Sequence, residues 1–98
     1  MIDFQVRGEN GEVVTHGSQG IRWSEPLAKL DPDDFPYLSS LLPYADTMFN
    51  ARQTERLRQE VADRSIRDII GDAAATEVER LCREVENGSH LYLWFVGD

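Results

Sequence analysis

One cysteine and two histidines are a small stock for covalent, acid–base or metal chemistry in a chain of 98 residues. Cys82 has no second cysteine to pair with, so it forms neither an internal disulfide nor a cysteine-based metal site, which fits a reducing compartment. The opening residues Met1-Ile2-Asp3-Phe4-Gln5-Val6-Arg7 lack the cationic segment and apolar run of a secretory leader, and a cytoplasmic location is expected. Basic residues are scarce as well: ten stand against eighteen acids, for a net charge of −8. Phosphate binding depends on the opposite surplus, so nucleic acid is disfavoured as a partner and a basic protein is favoured. Hydrophobic runs are short. The longest unbroken one, Leu91 to Val96, is far below the roughly 20 residues of a membrane-spanning helix. No serine sits in a Gly-x-Ser-x-Gly elbow, no glycine-rich phosphate loop follows a strand, and no calcium-loop spacing occurs. No catalytic residue, cofactor or metal is expected on these grounds, and the chain leans away from being an enzyme.

What is present describes a single domain over residues 1–98. Ile2, Phe4 and Val6 alternate with Asp3, Gln5 and Arg7, the period of a half-buried strand. Asn10-Gly11 then predicts a two-residue type I′ hairpin turn leading into a second strand over residues 12–16. In that register Glu9 faces Glu12, Val6 faces Thr15, and Val13 shares the face of Ile2, Phe4 and Val6. Gly17-Ser18-Gln19-Gly20 reads as another turn, with Ile21-Arg22-Trp23 as a short third strand. Residues 24–45 contain all four prolines, which confine helix to brief turns near 26–30 and after Asp31. Their leucines and aromatics are too many for a solvated linker, so this stretch is expected to pack.

Beyond Pro43 the pattern changes. Residues 46–64 read as a helix with Phe49, Gln53, Leu57 and Val61 on its buried stripe and Arg56, Glu60 and Arg64 on the opposite surface, Glu60 pairing with Arg64. Ile66, Ile69 and Ile70 extend the apolar pattern to Gly71, where the helix stops or bends. A second helix spans residues 72–86, with Ala74, Val78, Leu81, Cys82 and Val85 facing the core, and Asn87-Gly88 closes it. The last strand starts near His90. Both of its faces are apolar, which places it inside the sheet rather than at an edge. The expected fold is α+β: a small antiparallel sheet, made of the amino-terminal hairpin and an inner carboxy-terminal strand, with two helices from the second half on one face. Burying Tyr92 and Trp94 would remove roughly 150–250 Å² each from water, on the order of 8–12 kcal/mol together. Their face therefore calls for a cover, from residues 24–45, a second copy of the chain or a partner.

Few residues invite a functional reading. His16 and His90 could approach one another if their strands were neighbours, although ordinary strand-end hydrogen bonding accounts for both. Asp31, Asp33 and Asp34 carry oxygens suited to a hard cation, but turn and cap roles account for them. The densest polar group is Tyr44, Asp46, Thr47, Asn50 and Arg52, crowded at one predicted helix entrance, where free N–H groups and the helix dipole favour a bound partner or ligand. Asn50 with Gln53 also makes a capping box there.

The string Pro-Tyr-Ala-Asp-Thr-Met-Phe-Asn-Ala-Arg-Gln, followed by two helices and the ending His-Leu-Tyr-Leu-Trp-Phe-Val-Gly-Asp, resembles a set of small uncharacterised bacterial proteins, mainly of high-GC genomes. The resemblance covers roughly residues 36–98. It implies a bacterial, cytoplasmic, single-domain protein and carries over no catalytic residue. The expected function is a small acidic interaction module, such as an immunity or inhibitor protein for a basic partner. The alternative is a self-associating structural or regulatory domain paired through Tyr92 and Trp94. A small enzyme or ligand-binding protein using His16, His90 and the helix entrance ranks below both.

Overall fold

The alternation at the amino terminus becomes strand β1 (Ile2–Gly8), paired antiparallel with β2 (Val13–Ile21), in the computed structural model, which describes residues 1–97. The turn between them is not the expected two-residue loop. Gly11 lies at φ +88° and donates its N–H to the Gly8 carbonyl at 3.0 Å, while the Gly8 N–H reaches the Glu12 carbonyl at 2.8 Å. Asn10 is not at positive φ, so the loop is Glu9-Asn10-Gly11 with its left-handed residue last, a three-residue hairpin with a bulge. Val6 faces Thr15 as expected, but the next pair is Arg7 with Val13. The Glu9–Glu12 pairing is thereby lost and Val13 is turned to the opposite face from Val6, 41% exposed. A second correction follows along β2. Gly17 to Gly20 form no turn; the strand continues to Ile21, with extra residues accommodated between the Gln5–His16 and Asp3–Gly20 pairs. The separate third strand at residues 21–23 does not form.

Residues 24–45 do pack. Ser24 caps a single turn, α1 (Glu25–Ala28), and a 3-10 turn follows at Leu38–Ser40. Leu27, Leu38 and Leu41 from this stretch enter the core. The predicted helix from residue 46 is corrected at both ends. Thr47, Met48 and Phe49 form an edge strand, β3 (Thr47–Phe49), and only then does α2 (Ala51–Ala62) begin. The inner strand needed a second neighbour, and this β-branched, aromatic tripeptide supplies it. The helix breaks again at Asp63, whose extended backbone caps α3 (Arg64–Ile70) and whose carboxylate accepts from the Ser65 N–H at 2.9 Å. Gly71, at φ +90°, separates α3 from α4 (Asp72–Asn87). Strand β4 (Leu91–Val96) completes the chain.

The four strands lie in the order β2-β1-β4-β3, every neighbouring pair antiparallel. The fold is α+β and β4 is an inner strand. One face carries Ile2, Phe4, Val6, Ile21, Phe49, Leu93 and Phe95 into the core, where Phe4 and Phe49 stand edge-on to Phe95 at 5.2 and 5.6 Å. Helix α4 lies across β2, β1 and β4, α2 lies beside β3 and β4, and α3 bridges the two helices. The stripe of α4 faces the sheet as expected, Ala74, Val78, Leu81, Cys82 and Val85 all being buried.

Candidate functional site

Cross-strand register builds the other face of the sheet row by row. Arg7 stands between Val13 on β2 and Tyr92 on β4; Gln5 stands between His16 and Trp94, with Met48 of β3 beyond; Asp3 stands between Gly20 and Val96. None of these side chains belongs to the core, and Tyr92, Trp94 and Val96 are only half-buried. Met48 is 48% exposed. The expected cover is therefore not supplied by the described residues. Residues 24–45 pack instead on the helix side, where the Tyr37 ring lies 5.4 Å from that of Phe49 and the Glu60 carboxylate accepts the N–H groups of Tyr37 and Leu38 at 3.2 and 3.0 Å.

Neighbouring side chains provide what cover there is. The Arg7 guanidinium lies 4.2 Å from the centroid of the Trp94 ring, and its Nε donates to Gln5 Oε1 at 2.8 Å. A guanidinium over an indole is favourable and shields part of the ring. Its two η-nitrogens form no hydrogen bond to a described residue, so a planar fork of donors remains on the face. Arginine, tyrosine and tryptophan thus meet, each half-buried, on the sheet face away from the helices.

The other predicted groupings fare differently. Tyr44 is 83% exposed in the connection before β3, Asp46 is exposed at the same approach, and Thr47 lies within the strand. Asn50 is engaged in the capping box, exchanging 2.9 Å hydrogen bonds with Gln53, and Arg52 is exposed on the first turn of α2. Because the segment before Asn50 is strand, these five residues are strung along an edge rather than gathered at a helix entrance. His16 and His90 are not brought together, since β1 lies between β2, which carries His16, and β4, which His90 precedes. His16 is level with Gln5; His90, at φ +56°, has its Nδ1 3.5 Å from Glu9 Oε2. Among the described residues no group of three or more histidine, cysteine or acidic side chains is placed to hold a metal ion. Burial pushes the Cys82 thiol up to about 12, which makes it an unreactive core residue.

Two open hollows lie in the helix layer. One of about 230 Å³ is lined by Asp34, Phe35, Arg56, Gln59, Glu60 and Asp63; the other, about 190 Å³, by Arg58, Gln59, Ala62, Glu79 and Arg83. Glu60 is the buried group of the first. It does not pair with Arg64 as expected, because the α2 stripe rotates it inward, where its carboxylate caps the 3-10 turn and has Arg56 Nε at 3.7 Å. Arg64 turns to Asp68 and Asp72. Glu77 was likewise missed: its carboxylate accepts the Ser18 N–H and hydroxyl at 2.6 and 2.9 Å and is gripped by Arg80 at 2.7 Å, tying the irregular part of β2 to α4. Nearby, Thr15 donates to Glu84. The available signal was periodicity, since Glu60 and Glu77 each follow a stripe residue, Leu57 or Ala74, by three positions.

No family model, no curated protein and no solved structure matches the chain. No helix among the described residues is long and apolar enough to cross a membrane.

Proposed function

We propose that the protein is a small acidic protein-interaction module that docks through the outer face of its sheet. The observation that carries this reading is the adjacency of Arg7, Tyr92 and Trp94, half-buried on a sheet face that the other described residues do not cover. These three residue types dominate the energetics of protein interfaces, because each offers a large contact area together with a directed polar group. Comparative affinity isolation tests it, using wild type, Trp94→Gln and a helix-layer control, Gln59→Ala. The expected outcome is a partner retained by wild type and control but lost by Trp94→Gln. The same set of bound proteins for all three would sink the proposal.

A second surface favours a basic partner, as an immunity or inhibitor protein would have. Asp31, Asp33, Asp34 and Asp63 are exposed on the helix side and make no ion pair with a described base. With a net charge of −8, such a surface speeds encounter with a cationic protein. Replacing all four by asparagine is expected to slow association with that partner and flatten its salt dependence, leaving the Trp94-dependent contact intact.

A further inference from the structure

We infer that the outer sheet face is occupied by the same face of a second copy of this chain, in a two-fold symmetric pair. This names an occupant for the docking surface proposed above and rests on that reading. The ground for it is self-complementarity. Arg7 and Asp3 lie on one strand and one face, with Gln5 midway between them, and neither forms an ion pair with a described residue. Consider two such faces laid together with the symmetry axis in the interface plane, perpendicular to the strands, above the row of Gln5 and Trp94. Each β1 then runs opposite its copy, and Arg7 of each chain meets Asp3 of the other. On β4 Tyr92 meets Val96 and Trp94 meets Trp94; on β2 Val13 meets Gly20. Large side chains are set against smaller ones at both ends, the interdigitation that aligned sheets use to pack. An axis parallel to the strands would oppose Arg7 to Arg7 and Asp3 to Asp3 if it lay over β1, or would set both against neutral residues if it lay between β1 and a neighbouring strand, so charge pairing favours the first arrangement.

The excess negative charge does not prevent this. On the face Arg7 balances Asp3, whereas Asp31, Asp33, Asp34 and Asp63 are exposed away from it on the helix side, and at physiological salt charges separated by more than the Debye length of about 8 Å are largely screened. Area sets the strength. Four strands about 4.8 Å apart and six residues of about 3.4 Å rise give a face of roughly 400 Å². A stable interface takes about 800 Å² per partner. The pair is therefore weak and concentration-dependent, and it leaves the acidic helix side free.

Sedimentation of the full chain from about 10 μM to about 1 mM spans the range in which so small an interface fills. The mass is expected to climb from monomer towards dimer. Asp3→Arg and Arg7→Asp should each weaken pairing by about tenfold or more, and an equimolar mixture of the two should recover it, because opposite charges then face one another at both ends. Circular dichroism melts verify that each variant is folded; Asp3→Asn and Arg7→Gln, expected to weaken pairing less, take their place if either is not. A monomer at every concentration overturns the inference, and so does a dimer that none of these substitutions weakens. If that monomer still has a Trp94-dependent partner, only the second-copy occupant is lost; if it has none, the docking reading goes with it.

Discussion

Glu60 and Glu77 are both buried, yet their surroundings push the two carboxyl groups in opposite directions. Arg80, with help from Ser18, holds Glu77 down to about 2 against an ordinary 4.5, despite the opposing cost of burial. Its folded-state value is depressed, so its contribution is present above pH 4.5 and is lost as the pH falls from there to about 2. A shift of this size corresponds to about 3 kcal/mol at neutral pH. Glu60 is raised, because burial outweighs the Leu38 and Tyr37 N–H groups and Arg56. Its contribution is full below the ordinary carboxylate range and declines as the pH rises through its elevated value. Glu77→Gln should therefore destabilise most at neutral pH and converge on wild type near the acid limit. Glu60→Gln, which keeps an acceptor for the two N–H groups, should improve relative to wild type as the pH rises. Urea unfolding across this range checks both, and parallel trends for the two variants would contradict the assignment. Glu60 was misread because a surface charge pair and an inward carboxylate share the same helical spacing; the 3-10 turn that recruits it is a long-range partner.

At the scale of elements, the boundaries depend on few residues. Asn50 ends β3 and starts α2 at once, through its reciprocal hydrogen bonds with Gln53. Asn50→Ala is expected to cost about 1 kcal/mol by removing an N-cap. Gly71 makes a different point: no atom lies within 4 Å of where a β-carbon would stand, yet its φ of +90° is strained for any side chain. Gly71→Ala should thus cost about 1–3 kcal/mol through the backbone alone. Unfolding in denaturant measures both, and a neutral Gly71→Ala would show that α3 and α4 can meet in another conformation. The α4 stripe and the capping box were legible because both are local patterns. The start of α2 was not: Phe49 falls on the helical spacing of Gln53, Leu57 and Val61, although it reaches the core from a strand. What separates the two readings is the empty side of β4, which lies more than forty residues along the chain.

For the whole molecule, the open face divides β4 into two classes of side chain. Phe95 is 1% exposed between Phe4 and Phe49, whereas its neighbour Trp94 is half-buried beneath Arg7. In dilute protein Phe95→Ala should cost about 3–5 kcal/mol, and Trp94→Ala much less, near the median of point substitutions at about 1 kcal/mol. A Trp94 variant as damaged as the Phe95 variant in denaturant unfolding would mean that the face is covered even in the monomer. Apolar patterning by itself determined that β1, where it alternates, is a half-buried strand, that α4, where it follows the helical period, is amphipathic, and that β4, apolar on both faces, lies inside the sheet, because a side chain's direction follows from its place along a strand or helix. Tertiary structure decided the three-residue hairpin that turns Val13 outward, the edge strand at Thr47–Phe49 and which partners hold Glu60 and Glu77 inward. The edge strand and the two carboxylates depend on partners distant in sequence, and the hairpin on the register of the strands it joins. The two-sided apolar pattern of β4 showed that both faces gain by burial; only the packing of the whole chain decided which one its own helices could reach.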